Sequence, residues 1–365
     1  MALQAGIVGL PNVGKSTIFN ALTNAGAQAA NFPFCTIDPN VGIIRIPDER
    51  IVKLSALVNP AKITPTSLEI VDIAGLVKGA SKGEGLGNQF LGNIRNTNAI
   101  LHVIRCFDDP NVTHVDGSVN PVRDKEIIDT ELQLKDMETI ERAIQKAEKM
   151  AKSGDGKAKH RVEVLKSIDA LLQKGLSARN AALSENNFSL LNDLNLLTLK
   201  PVLYICNVDE NGLGDDNHYV MELREAVAGE EAEVMVLSGA IEAEIASLES
   251  HEDRTEFLQE LGMKESGLDR LIKSTYRLLK LLTYLTAGPD EVRAWTVRKG
   301  TKAPQAAAVI HTDFERGFIR AEVIRFEDYI AYGSEAAVKE AGKMRVEGKE
   351  YVVQDGDVMY FRINV

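Results

Sequence analysis

Cysteine is scarce in this 365-residue chain. Its three cysteines, Cys35, Cys106 and Cys206, are widely separated in the sequence. Because disulfide frameworks and cysteine-based metal sites need short or regular spacings, this distribution predicts reduced thiols and no structural metal. Cys106 and Cys206 lie in apolar runs typical of buried strands, where a thiol packs as a small apolar group.

The sequence also lacks a long apolar run and an excess of positive charge. No segment reaches the roughly 20 apolar residues that a membrane span requires. The apolar residues nearest the N-terminus lead into a glycine loop rather than a signal-peptide cleavage site. These features predict a cytoplasmic protein with no membrane partner. The net charge of −11 argues against nonspecific nucleic-acid binding, so no DNA partner is expected.

The chain is organised around a glycine loop between an apolar run and a helix-forming segment. Residues 9–17 read Gly-Leu-Pro-Asn-Val-Gly-Lys-Ser-Thr, which matches the G-x-x-x-x-G-K-[ST] phosphate loop. In such a loop backbone N–H groups surround a triphosphate, a lysine reaches the β- and γ-phosphates, and a hydroxyl binds Mg²⁺. Lys15 is therefore predicted to be catalytic. The residues predicted to contact the nucleotide here are Asn12, Val13, Gly14, Lys15, Ser16 and Thr17.

Two further segments complete a predicted site for Mg²⁺ and the γ-phosphate. Thr36 lies in a proline-containing loop after the first helix, where a threonine can close onto Mg²⁺ in nucleotide switches. Asp72 ends an apolar strand and begins an Asp-x-x-Gly sequence, in which the Gly75 N–H senses the γ-phosphate. The predicted metal ligands are Ser16, Thr36 and Asp72.

A residue that many GTPases use for hydrolysis is missing. Leu76 stands where those enzymes have a glutamine that orients the attacking water. An apolar side chain cannot orient water, so hydrolysis needs another group or is slow. His114, in a polar loop, is the candidate catalytic replacement because imidazole exchanges protons near neutral pH. An exposed histidine without a catalytic role is the alternative.

The segment predicted to read the base departs from the guanine-reading N-K-x-D motif. It reads Asn207-Val208-Asp209-Glu210, so valine replaces the lysine and glutamate replaces the aspartate that accepts from guanine. The Asn207 amide can still contact a purine N7 or an adenine N6. Ser238-Gly239-Ala240 follows the next strand and is predicted to contact the purine from the other side. The predicted base contacts are Asn207, Val208, Glu210, Ser238, Gly239 and Ala240.

Two segments outside the nucleotide motifs carry basic residues. Apolar positions three and four apart predict a helical hairpin within residues 121–199, and residues 142–166 hold eight basic residues against three acidic ones. A solvated helix face and a phosphate-contact surface both explain this charge. An amphipathic helix is expected from Leu268 to Leu282, followed after Gly288 by a small mixed sheet. The basic residues of that module, either an RNA-facing patch or ordinary surface charge, are Arg293, Arg298, Lys299 and Lys302.

Together these motifs resemble those of the YchF-type Obg-like ATPases, a branch of the translation-factor-related GTPase superfamily. The resemblance spans the whole chain. It implies an α/β P-loop NTPase G domain with a parallel-rich sheet, an inserted α-helical hairpin or coiled-coil arm, and a C-terminal ubiquitin-like (TGS) α+β domain. The expected ranges are 1–120 and 200–283 for the two parts of the G domain, 121–199 for the helical insertion and 284–365 for the TGS-like domain.

The resemblance also implies an activity. It implies Mg²⁺-dependent hydrolysis of ATP in preference to GTP, a K⁺ ion held by Asn12, and association with the ribosome or RNA. Two alternatives remain open from the residues themselves. One is a GTPase, and the other is an RNA- or protein-binding module that a nucleotide stabilises with little turnover.

Overall fold

The computed structural model describes residues 3–27, 40–73, 75, 86–152, 154–214 and 216–364. Thr36 and Leu76, for which the sequence predicts roles, lie outside the described residues. Packing divides the chain into two units. The first unit comprises Met1–Ile44 and Glu69–Leu271, and the second comprises Arg45–Leu68 and Ile272–Val365.

The strands, in chain order, are β1 (Gln4–Val8), β2 (Val41–Arg45), β3 (Lys62–Thr64), β4 (Ser67–Asp72), β5 (Ala99–Arg105), β6 (Val202–Asn207), β7 (Glu233–Leu237), β8 (Leu281–Ala287), β9 (Glu291–Arg298), β10 (Phe318–Arg325), β11 (Arg345–Glu347) and β12 (Asp357–Ile363). The helices are α1 (Lys15–Ala27), α2 (Glu49–Val58), α3 (Leu86–Asn96), α4 (Pro121–Lys152), α5 (Gly156–Leu172), α6 (Glu185–Ser189), α7 (His218–Ala226), α8 (Gly239–Ser247), α9 (His251–Glu260), α10 (Gly267–Leu278), α11 (Ala303–Ile310), α12 (Asp313–Arg316), α13 (Phe326–Tyr332) and α14 (Glu335–Glu340).

The first unit is built on a six-stranded sheet of order β2-β4-β1-β5-β6-β7. The pairs β4–β1, β1–β5, β5–β6 and β6–β7 are parallel. Every residue of β5 and β6 is buried, as expected for central strands of a parallel sheet with both faces covered. The carboxyl ends of these strands meet at one edge, where the phosphate loop leaves β1.

The helical insertion is a hairpin formed by α4 and α5. Ile140 of α4 and Leu165 and Ile168 of α5 are buried in one apolar cluster along its length. Asp155 caps α5 by accepting hydrogen bonds from the Lys157 and Ala158 N–H groups at 2.9 and 3.3 Å. The cap satisfies N–H groups that have no partner in the first turn of a helix, so it fixes where the hairpin turns.

The second unit is a six-stranded sheet of order β11-β10-β12-β8-β9-β3 with short helices against it. Its pairs β8–β9 and β10–β12 are antiparallel, whereas β12–β8 and β3–β9 are parallel. A buried cluster joins Ile51 and Leu54 of α2 to Leu285 and Val292 of the sheet. The predicted G domain, helical arm and C-terminal α+β unit are therefore all present.

Two sequence predictions differ from this fold. The helix expected from Leu268 to Leu282 ends at Leu278, and β8 begins at Leu281. Lys280 has a φ of +53°, a left-handed conformation that stops the helix between them. The expected boundary between residues 283 and 284 consequently falls inside β8, and residues 45–68 pack with the second unit although they were expected in the first. Within the described ranges, no helix is both long and apolar enough to cross a membrane.

Candidate functional site

The phosphate loop connects the end of β1 to the start of α1 through two left-handed residues. Asn12 has a φ of +62° and Gly14 a φ of +91°. A Cβ added to Gly9 would lie 2.6 Å from the Val103 carbonyl oxygen, and one added to Gly14 would lie 2.1 Å from Asn207 Nδ2. Both glycines are therefore required by close approach, as the motif predicts.

Lys15 and Asp72 meet beside this loop. Lys15 Nζ lies 3.6 Å from Asp72 Oδ1, and the lysine is 9% exposed. Asp72 Oδ1 is buried and accepts no hydrogen bond from the described residues. Ser16, the next residue of α1, is exposed. A buried carboxylate oxygen with free lone pairs, together with an accessible hydroxyl, provides the hard oxygen donors that Mg²⁺ prefers.

Gly75 also approaches the phosphate loop. A Cβ built on it would lie 3.4 Å from Pro11 and 3.6 Å from the Gly9 carbonyl oxygen. The Asp-x-x-Gly segment and the phosphate loop are thus adjacent.

The Asn207 side chain makes contacts other than those predicted from the sequence. Its amide nitrogen donates to the Val13 carbonyl at 2.9 Å, and its amide oxygen accepts from the Gly239 N–H at 2.8 Å. The side chain is 5% exposed. The amide expected to read a purine instead joins the phosphate loop to the start of α8, because β6 ends directly beside that loop.

Among the other residues predicted to contact the base, some are buried and some are exposed to solvent. Val208 is 2% exposed, whereas Glu210 and Ala240 are exposed. Ser238 is fully buried, and its hydroxyl oxygen has no hydrogen-bond partner among the described residues. Only Glu210 therefore presents a charged side chain to solvent in this group.

His114 is buried, not exposed on a loop as expected. Its Nε2 lies 2.8 Å from Asp124 Oδ2, and its Nδ1 accepts from the Asp116 N–H at 3.2 Å. An Nδ1 that accepts implies a neutral ring with its proton on Nε2, which then donates to Asp124. His114, Asp116 and Asp124 each have an atom that could bind a metal ion, and these three atoms lie within 4.8 Å of one another. The positive charge next to the two carboxylates comes from Arg123, which lies 3.7 Å from Asp116 and 3.1 Å from Asp124.

Sequence reasoning missed Arg105 at the end of β5. The side chain is 1% exposed and donates to three carbonyl groups of the loop that follows. That loop reaches the phosphate loop, where Asn12 Nδ2 donates to the Thr113 carbonyl at 3.1 Å. An arginine at the end of a largely apolar strand was the sequence signal that could have identified it.

The basic segment of the hairpin is partly neutralised. Arg161 pairs with Asp193 at 2.7 Å, and Lys166 pairs with Glu148 at 2.8 Å. Five exposed lysines near the turn form no ion pair with any described residue. These lysines, called the tip lysines below, are Lys146, Lys149, Lys152, Lys157 and Lys159.

The basic residues of the second unit are less available. Arg293 lies 3.9 Å above the Trp295 ring and 4.0 Å from Glu291. Lys302 pairs with Glu350 at 2.5 Å. Arg298 and Lys299 are exposed, so two of the four predicted residues present an unshared charge.

Comparison with known proteins relates the chain to one family along its full length. A family model described as a 50S ribosome-binding GTPase matches residues 4–153. The model YchF-GTPase_C, described as a protein of unknown function (DUF933), matches residues 281–364. The proteins named ribosome-binding ATPase YchF from Bacillus subtilis (strain 168) and Escherichia coli O157:H7 are 57% and 56% identical to the chain, and each match covers 100% of both proteins.

A solved structure agrees with these sequence matches. The structure of the Schizosaccharomyces pombe YchF GTPase superposes with a TM-score of 0.89 at 38% identity, covering 99% of this chain and 97% of that one. The resemblance predicted from the motifs, and the fold class it implied, are confirmed. The chain belongs to the YchF family.

Proposed function

We propose that the chain is a Mg²⁺-dependent ATPase that acts as a nucleotide-operated switch in association with the ribosome. The observation that carries this proposal is the pairing of Lys15 with an Asp72 oxygen that accepts no hydrogen bond from the described residues, next to the exposed Ser16. Relatives at 55–57% identity are named ribosome-binding ATPases, which supports the same reaction and partner. A cytoplasmic location follows from a ribosomal partner.

In the proposed phosphoryl transfer, one group of residues binds the metal ion and another binds the phosphates. Ser16 and Asp72, with Thr36, would hold Mg²⁺, which when bound neutralises charge on the phosphate oxygens. The Lys15 ammonium binds the β- and γ-phosphate oxygens and stabilises the charge that develops as the bond to ADP breaks. Water supplies the attacking oxygen, so ATP and water give ADP and phosphate. Without a water-orienting glutamine, the isolated protein is expected to turn over slowly.

The arrangement around Asn207 supports ATP over GTP. Guanine reading needs a lysine along the base and a short carboxylate, but Val208 is buried and residue 210 is a glutamate. GTP remains the second candidate because the exposed Glu210 carboxylate can accept from guanine. Calorimetry with both nucleotides at matched salt decides between them. A preference for ATP of at least about tenfold, or about 1.4 kcal/mol, is expected, and tighter GTP binding would assign the protein to the GTPases.

We also propose that Asn12 holds K⁺. Its amide nitrogen donates to the Thr113 carbonyl at 3.1 Å, which leaves the amide oxygen free to coordinate a cation. Hydrolysis should therefore be faster in KCl than in choline chloride at equal ionic strength. Equal rates in the two salts would remove this assignment.

Substitution of Lys15 tests the main proposal. Lys15→Ala should lower the rate of phosphate release by at least about a hundredfold, because it removes the charge that binds the transferring phosphate. Lys53→Ala, at a 59% exposed side chain of the second unit, is the matched control and should hydrolyse ATP normally. Full turnover in Lys15→Ala would contradict the assignment. Co-sedimentation with ribosomes that does not depend on the nucleotide would favour a binding module over a switch.

We also propose His114 as a catalytic residue. To reach a phosphate it must leave Asp124 and the Asp116 N–H. His114→Ala should lower the ribosome-stimulated rate while leaving ATP affinity unchanged. A normal stimulated rate in that variant would restrict the histidine to a structural role.

The tip lysines are proposed to contact RNA phosphates. Their charge is exposed and free of ion pairs within the described part of the chain, and each phosphate contact adds about 0.7 to 0.9 to the salt slope of binding. Replacing Lys149, Lys152 and Lys157 by serine should reduce the slope of ribosome binding by about 2 to 3. Replacing Lys339, Lys343 and Lys349 of the second unit, which are also exposed, should change it less. Equal slopes in the two variants would remove the tip from the contact.

A further inference from the structure

One buried arginine shapes the loop between β5 and α4. Arg105 Nε donates to the Phe107 carbonyl at 3.0 Å, Nη1 to the Val112 carbonyl at 2.8 Å, and Nη2 to the Asp109 carbonyl at 3.2 Å. The guanidinium also lies 4.6 Å from the centre of the Phe107 ring. A single side chain thus holds the backbone of residues 107–112 at three points.

Burying the Arg105 guanidinium costs folding free energy, and fixing the shape of this loop is what that burial achieves. A buried guanidinium is normally paired with a carboxylate, yet no carboxylate among the described residues lies within ion-pair distance of Arg105. Its charge is balanced by three carbonyl dipoles and an aromatic face. A lysine cannot replace it, since one ammonium lacks the planar fork that reaches three separated carbonyls.

The loop so held contacts the phosphate loop once and leads directly into His114. The residue after Val112 offers its carbonyl to Asn12 of the phosphate loop at 3.1 Å. The next residue is His114, which is seated against Asp124 at 2.8 Å. The position of Val112 therefore determines where both contacts lie.

We propose that Arg105 is a positioning residue for the nucleotidase reaction. It fixes residues 107–112 so that the Thr113 carbonyl orients the Asn12 amide and His114 starts from a defined place. The inference rests on the proposed ATPase function. It assigns Arg105 to the rate of turnover more than to nucleotide binding, because the arginine touches the loop and not the phosphate loop itself.

Arg105→Lys in the full-length protein tests this inference. The rate constant kcat for phosphate release should fall by about tenfold or more, while the Kd for ATP changes by less than about threefold. Amide hydrogen exchange in residues 107–116 should speed up. Arg179→Lys is the matched control: the Arg179 side chain is only 12% exposed, but it pairs with Asp129 at 3.6 Å and Glu230 at 3.5 Å. That variant should lower the melting temperature and leave kcat unchanged.

The results distinguish failure of this inference from failure of the proposed function. A lower melting temperature with normal kcat in Arg105→Lys would overturn the positioning role and leave Arg105 structural. If the unsubstituted protein hydrolyses no ATP, the proposed function fails first, whereas unchanged exchange in residues 107–116 defeats the inference alone. Should Arg105→Lys not fold, Phe107→Leu removes only the aromatic face. It should lower kcat in the same direction, and an unchanged kcat would overturn the inference.

Discussion

At the scale of single residues, the Asn207 side chain occupies the space that a side chain on Gly14 would fill. The Asn207 amide lies where a side chain on Gly14 would be, and it bonds to Val13 in the same loop. The absence of a Cβ at Gly14 therefore admits the side chain that ties the phosphate loop to Gly239. The contact therefore joins the segment predicted to bind the phosphates to the segment predicted to contact the base.

Gly14→Ala should disrupt that contact. The new Cβ would meet Asn207 Nδ2 at 2.1 Å, and loss of the two Asn207 hydrogen bonds adds about 1–3 kcal/mol to the backbone strain. Gly154→Ala is the control, because its φ of +94° is close to the +91° of Gly14, but its new Cβ would have no described atom within 4 Å apart from its chain neighbours. Calorimetry should show a loss of ATP affinity of at least about tenfold in Gly14→Ala. Equal affinities in the two variants would show that ATP binding does not depend on the space that Gly14 leaves for the Asn207 side chain.

His102 gives a pH-dependent prediction. Burial in β5 lowers its pKa to about 4 from 6.5, although Asp129 opposes the shift, while Lys125 and Arg179 add to it. Between pH 6.5 and 4 the unfolded chain binds a proton that the folded chain does not, so stability falls as the pH falls. The loss should reach about 2 kcal/mol at pH 5.

Urea unfolding at pH 7 and pH 5 measures this effect. His102→Leu should remove about 2 kcal/mol of the difference between the two pH values. His160→Leu, at a histidine whose side chain is 53% exposed, should leave the difference unchanged. An identical pH dependence in His102→Leu and the unsubstituted protein would show that the folded histidine keeps its ordinary pKa.

The sequence predicted the residues whose function is local. Lys15, Ser16 and Asp72 were predicted as site residues because short sequence motifs specify their chemistry, and the pairing of Lys15 with Asp72 is consistent with that prediction. The bracing role of Asn207 was not predictable, since its partner Val13 is 194 positions away. Only packing of the two strand ends brings them together. The same holds for His114, whose burial depends on how α4 begins.

At the scale of elements, apolar periodicity predicted the helical hairpin but could not decide one junction. Leu278 to Leu285 contains five leucines among its eight residues, a composition that suits either a buried helix or a strand. The structure ends α10 at Leu278 and pairs β8 with β9 from Leu281 onward. Cross-strand partners, which no local pattern reveals, decide the outcome there.

One carboxylate holds the helical hairpin to the segment that leads from it back to β6. Asp136 of α4 is fully buried and accepts from the Leu197 N–H at 2.9 Å, the Thr198 N–H at 2.7 Å and the Thr198 hydroxyl at 2.6 Å. The chain therefore leaves the helical insertion at a position set by α4. This contact links the start of β6, a few residues later, to the hairpin.

Asp136→Asn should weaken that fastening. An amide has only one accepting oxygen, so its NH₂ group would face at least one donor, and the free energy of unfolding should fall by about 2–4 kcal/mol. Asp169→Asn on α5 is the control, because that carboxylate accepts from exposed Gln173 and should cost under about 0.5 kcal/mol. Chemical denaturation of both variants checks the prediction. Equal stabilities would mean that the three contacts to Asp136 contribute little.

At the scale of the whole molecule, the chain order and the packing order differ. The chain leaves the first unit after Ile44, builds α2 and β3 in the second unit, and returns at Glu69. The sequence does not reveal this excursion, because residues 45–68 follow directly on a strand of the nucleotide sheet and carry no linker composition. Their partners, β8 and β9, lie more than two hundred residues later.

A pair of leucines on α2 tests this division of the chain. Leu54 is fully buried in the cluster with Leu285 and Val292, whereas Leu57 is 42% exposed. Leu54→Ala in the full-length protein should cost about 2–5 kcal/mol through lost burial and a cavity, and Leu57→Ala should cost under about 1 kcal/mol. Because Leu54 packs on β8 and β9, faster amide exchange in Leu54→Ala should appear in residues 281–298. Faster exchange confined to β1 and β5 would instead place residues 45–68 with the first unit.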